Sequence, residues 1–142
     1  MKRIADIFTK KKRSEIMARI RGKNTSIERQ VFALLRRRKI RFRRHHNLPG
    51  RPDVALPIKK KAVFIDGDFW HGWKFHEKRA KLPPFWVAKI ESNMRRDRRT
   101  RAALRRKGWS VLRVWEHDLR KKPLATEARI VGFFEAPNAT RR

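Results

Sequence analysis

The chain has 142 residues and carries 41 Lys and Arg against 13 Asp and Glu, a formal net charge of +28. Hydrophobic residues still make up 39% of it, with 5 Trp and 9 Phe, so it reads as one folded domain whose partner is a polyanion, nucleic acid by default. Having no Cys, it cannot hold disulfides, thiol nucleophiles or Cys-ligated metal; having no Tyr, it has no phenolic nucleophile; and no apolar run approaches the ~18 residues that span a bilayer.

Residues 1–24 are basic and loosely amphipathic, with Ile16, Met17 and Ile20 spaced for one helical face. The segment lacks a signal peptide's apolar stretch and cleavage site, so an intracellular, cytoplasmic protein that keeps it is expected. Thr25-Ser26-Ile27-Glu28 reads as a capping box, and Ile27, Val31, Leu34 and Leu35 carry a helix to about Arg38. A short edge strand is expected within 41–46. After a turn at Leu48 to Pro52, residues 53–56 and 62–66 read as two strands of a hairpin. Residues 67–82 show no period and contain two Gly, the pattern of a loop. Pro83-Pro84 opens a long helix through Trp86, Ile90, Met94 and Leu104 to Lys107, closed by Gly108. Residues 111–115 form a further apolar strand, and a last helix is expected over about 123–134. The order α-β-β-β-α-β-α predicts one α/β domain.

In so basic a chain the acids are informative. A hairpin turning at 57–62 places Asp53 opposite Asp66, and two opposed carboxylates repel unless a cation lies between them. A divalent ion with oxygen ligands suits the pair; the alternative is that Asp53 caps a turn and Asp66 pairs with an arginine. Asp68 and His71 follow closely. Carboxylates, a nearby imidazole and a basic surface fit metal-assisted phosphodiester hydrolysis, with His71 as general base. Phe69, Trp70, Trp73, Phe75, Phe85 and Trp86 are interleaved with Lys74, Lys78, Arg79 and Lys81. Apolar side chains on a basic loop can wedge between base steps or simply pack the core.

Five segments, RSEIMARIRGKNTSIE (13–28), LPGRPDVALP (48–57), VFIDGDFWHG (63–72), FWVAKIESNMRRDRR (85–99) and GWSVLRVWEHDL (108–119), together resemble the very short patch repair (Vsr) endonuclease family. The resemblance implies a restriction-endonuclease-like domain, a central mixed sheet flanked by helices, over 25–142, preceded by a DNA-clamping segment over 1–24. It also implies a Mg²⁺-dependent nick in duplex DNA, 5′ to the thymine of a T·G mismatch. By position, Asp53 is similar to the family's metal-binding Asp, with the backbone carbonyl of Ile65 as a second ligand. His71 matches the general base and Asp97 the carboxylate that orients it. Glu28 matches an active-site Glu, and Asp66 falls where members have Asp or His. Phe69, Trp70 and Trp86 match an aromatic wedge, and Met17 and Ile20 a segment that clamps the opposite groove. The departure is a structural zinc: members place Cys where this chain has Asp68 and His117. With only His76 as a third candidate, no zinc is expected, and Asp68 and His117 are expected to bond each other instead. The other readings are a homing or mobile-element nickase with another DNA target and a non-catalytic nucleic-acid-binding protein. A monomer acting on double-stranded DNA, with no membrane partner, is expected.

Overall fold

The computed structural model describes residues 26–137; the expected N-terminal clamp, with Met17 and Ile20, and the expected capping residue Thr25 lie outside them. Helix α1 occupies 26–37 and buries Ile27, Val31, Phe32, Leu34 and Leu35, the face set by the apolar spacing. The sheet has the order β1-β2-β3-β4. Strand β1 (Arg43–Arg44) pairs antiparallel with β2 (Val54–Leu56), β2 pairs antiparallel with β3 (Lys61–Asp66), and β3 runs parallel to β4 (Ser110–Trp115). Two short helical turns, α2 (Phe75–Lys78) and a 3₁₀ turn (Arg79–Lys81), precede α3 (Pro84–Arg106). After β4 come α4 (Glu116–Lys121) and α5 (Pro123–Glu135).

Alternation along β3 assigns its two faces. Val63 and Ile65 join α1, α5 and Leu119 in the main core with Val54 and Val114. Phe64 turns to the other face, where it meets α3 near Thr100. Truncating a fully buried core side chain such as Leu35 or Phe134 is worth about 3–5 kcal/mol. Pro84 opens α3, and Gly108 at φ +89° turns the chain into β4.

The hairpin register differs from the expected one. The turn is tighter, Pro57 to Lys60 closed by Lys60 N–H to Pro57 O at 3.2 Å, and Val54 pairs with Val63. Asp53 is therefore not opposite Asp66; continuing the ladder sets it opposite Phe64. The cause is Lys61, which is 3% exposed: its ammonium reaches the carbonyls of Phe133 (2.6 Å) and Ala136 at the end of α5, drawing it into the strand. A slip of two residues preserves the faces, so Asp53 and Asp66 remain diagonal neighbours on the side facing α3. The expected loop at 67–82 contains α2 and the 3₁₀ turn, and α4 was not expected at all. Among the described residues no helix is long and apolar enough to cross a membrane.

Candidate active site

A cleft of about 440 Å³ opens where α1, the loop before β2, the end of β3 and the middle of α3 converge. It is lined by Glu28, Asp53, Ile65, Asp66, His71 and Asp97, with Arg51, Arg96 and Arg101 around them. Each arrives from a different element. Glu28 lies in the first described turn of α1 and faces the cleft. Asp53 ends the Leu48 to Pro52 turn, which packs tightly on α3: Gly50, at φ +75°, lies where a Cβ would overlap Thr100.

Two groupings result. The first joins Glu28, His45 and Asp53, whose donor atoms lie within 4.8 Å of one another. Asp53 Oδ2 accepts the Ile65 N–H at 2.6 Å, which fixes the carboxylate against β3. Burial, and then the neighbouring Glu28 carboxyl, push the Asp53 carboxyl up to about 8; the Ile65 N–H pulls the other way and loses. Such a pair of carboxyls holds either a proton or a cation.

The second grouping joins Asp66, His71 and Asp97. His71 Nδ1 is 2.6 Å from Asp97 Oδ2 and 3.6 Å from Asp66 Oδ1. Arg113 on β4 pairs its Nε with Asp66 Oδ2, donates from Nη2 to the His71 carbonyl at 3.1 Å, and lies over the Trp115 ring. Asp66 thus has an arginine partner, and Nδ1 of His71 has a carboxylate, so this set is already hydrogen-bonded within itself. Gly72, at φ +82°, lets the His71 loop lie on α3 where a Cβ would overlap the Met94 thioether. Asn93, buried on α3, donates to the Trp70 carbonyl at 3.1 Å and fixes the same loop.

Phe69, Trp70, Phe85 and Trp86 form a continuous aromatic cluster, with ring centroids 4.9–5.8 Å apart. Trp86 is buried at 2% exposure, Phe69 and Trp70 are half-buried, and Phe85 is exposed, so the cluster has both a rooted and a solvent-facing part. Asp68 and His117 also meet: Nδ1 to Oδ1 is 2.7 Å, with the Trp73 ring against the imidazole, centroids 3.8 Å apart and planes tilted by 31°. His76 does not join them and lines a surface groove with Arg79 and Glu91.

The residue-by-residue reading missed His45, Arg113 and Asn93. Arginines are too numerous here for one to stand out, and His45 sat in a basic run with no apolar period. Asn93 had a signal: a short polar side chain on the buried stripe of a helix needs a partner.

Carboxylates and an imidazole gathered in a cleft of a strongly basic α/β domain define a phosphodiesterase-type centre acting on nucleic acid. A model of the DNA mismatch endonuclease Vsr family matches residues 5–77. The type II nicking enzyme V.XorIIP of Xanthomonas oryzae pv. oryzae is 39% identical over 122 residues, covering 82% of this chain and 88% of the relative. The DNA mismatch endonuclease Vsr of Escherichia coli K12 is 37% identical over 137 residues, 93% of this chain and 86% of its own. The chain belongs to the Vsr DNA mismatch endonuclease family, and its mixed sheet flanked by helices is the restriction-endonuclease-like fold of that family.

Proposed function

We propose that this endonuclease nicks one strand of duplex DNA at or near a T·G mismatch, with Mg²⁺ held at Asp53 and the Ile65 carbonyl and with Glu28 beside them. The family assignment supports strand nicking. The metal reading is supported by the residues themselves: a carboxylate fixed by a backbone N–H beside a second carboxyl, in a site where burial disfavours the ionised pair until a cation joins it. When bound, the ion would polarise a phosphoryl oxygen and stabilise the leaving oxygen.

The rest of the chemistry falls to the protein. Asp97 accepts from the Nδ1–H of His71, which fixes the tautomer and leaves Nε2 free to take the proton of an attacking water. As the imidazole charges, Asp97 stabilises it. Asp66, neutralised by Arg113, shapes the loop carrying His71 rather than competing for its proton. Arg96 and Arg101 at the cleft supply positive charge for the flanking phosphates. Phe69 and Trp70, rooted on Trp86, would press on the base step beside a mismatch, which opens at lower cost than a paired one. The observation that carries this reading is the His71–Asp97 pair at 2.6 Å in the same cleft as Asp53. Strand-resolved incubation of matched and T·G-mismatched duplexes, with and without Mg²⁺, tests it. The expected product is one nick, Mg²⁺-dependent and enriched on the mismatched duplex; double-strand breaks or indifference to Mg²⁺ would overturn it.

A further inference from the structure

The grouping around Asp53 contains a donor that the proposed reaction does not use. His45 directly follows edge strand β1 and holds a left-handed backbone conformation, φ +47°. Its N–H donates to the Asp53 carbonyl at 3.3 Å, so the backbone ties these two residues together. Its ring packs edge-on against Phe32, with centroids 6.4 Å apart and planes at 88°. Held in this way, Nε2 lies 3.7 Å from Glu28 Oε2. That is too long for a hydrogen bond. It is close to the spacing of two ligands on one ion, since bonds of about 2.0–2.2 Å place neighbouring donors about 3–3.5 Å apart.

The two imidazoles of the cleft are therefore in different situations. His71 has its Nδ1 engaged by Asp97, and Asp66 beside it is paired with Arg113. Among the described residues His45 has no such tie, and it faces two carboxyl groups. A nitrogen donor changes the ion that such a site prefers. Mg²⁺ keeps to oxygen ligands, whereas first-row transition cations add imidazole to them, with affinity rising from Mn²⁺ towards the later metals.

We propose that Glu28, His45 and Asp53 form a mixed nitrogen–oxygen site for a divalent transition-metal cation of the Mn²⁺ class, with His45 Nε2 as a direct ligand. This rests on the reading of Asp53 as a metal carboxylate and extends it to the identity of the ion. The site accepts Mg²⁺ through its oxygens and gains affinity for Mn²⁺ through the imidazole.

The test uses the full chain without DNA near neutral pH, where Mn²⁺ stays in solution as the divalent ion and can displace a carboxyl proton as it binds. Mn²⁺ is titrated in by electron paramagnetic resonance, and its ligands are read from nitrogen hyperfine coupling in pulsed spectra. His45→Asn is the central variant, because Asn tolerates a left-handed backbone. His71→Gln and Asp53→Asn are the controls, and circular dichroism confirms that each folds. Nitrogen coupling is expected in the unmodified protein and in His71→Gln, and is lost in His45→Asn. Mn²⁺ affinity is expected to fall about tenfold or more in His45→Asn while Mg²⁺ affinity, by competition, changes less than threefold. Bound Mn²⁺ without nitrogen coupling, or coupling that survives His45→Asn, overturns the role of His45 and leaves the Asp53 reading standing. No Mn²⁺ binding, or binding unchanged by Asp53→Asn, overturns both.

Discussion

Replacing Asp53 by Asn keeps the side chain's shape and an oxygen for the Ile65 N–H, and gives Glu28 a donor in place of a second carboxyl. The metal-free protein is expected to gain stability from this change, increasingly so as pH rises. Burial and Glu28 raise the Asp53 carboxyl from 3.8 to about 8. A raised folded pKa means a stabilising contribution that is complete below about 3.8 and lost as pH climbs through about 8. At about 1.36 kcal/mol per pH unit that interval caps the effect at about 6 kcal/mol, and water entering the cleft reduces the expected difference to roughly 2–4 kcal/mol. For a domain of this size that is a Tm difference of about 5–20 °C. Thermal unfolding of both proteins in chelator, at about pH 5 and about pH 9, reads it directly. The gap should be small at the lower pH and full at the higher, and a divalent cation should close it by stabilising only the unmodified protein. Parallel curves with a constant offset would refute the coupling of Asp53 to its surroundings.

Arg113→Leu strands the buried Asp66 and frees the His71 carbonyl, at a cost of about 3–5 kcal/mol in denaturant unfolding. Adding Asp66→Asn should recover much of that loss, and a double variant as unstable as Arg113→Leu alone would show that the pair is not the cause. Trp70→Ala should weaken discrimination between mismatched and matched duplexes more than overall affinity, measured by competition binding; equal losses on every duplex would make Trp70 a packing residue only. His117→Ala cuts the tie to Asp68 and should lower stability by about 1–3 kcal/mol and speed proteolysis within 68–76. Stoichiometric zinc in the purified protein, by elemental analysis, would instead make Asp68 and His117 ligands.

The long elements were legible because their periods were long. Helix α3, with Pro at its start and Gly108 past its end, falls within a residue or two of its expected bounds. Helix α4 has six residues, too few for a period, and is held by contacts distant in sequence: Glu116 Oε1 accepts the Asp68 N–H at 3.0 Å. Its one local signal was acids at 116 and 118 followed by Arg120 and Lys121, complementary to the helix dipole. The hairpin register failed because three consecutive lysines read as a solvated turn, whereas Lys61 finds its partners on α5, more than seventy residues away. The convergence of Asp53, Asp66, His71 and Asp97 survived that error because a two-residue slip does not change which face a side chain occupies. Arg113 could not be read from sequence, since its role depends on β3 and β4 lying side by side.

The most direct measurement is single-turnover nicking of a T·G-mismatched duplex by the full chain, by Asp53→Ala and by His71→Ala, with DNA binding measured in parallel. Asp53→Ala should bind the duplex about as tightly as the unmodified protein and leave it uncut, because on the proposed reading Asp53 holds the metal while the basic side chains around the cleft hold the phosphates. His71→Ala should bind normally and cut about 10²–10⁴-fold more slowly. Nicking at the unmodified rate by Asp53→Ala, or a loss under tenfold in His71→Ala, would contradict the placing of the metal at Asp53 and of the base at His71.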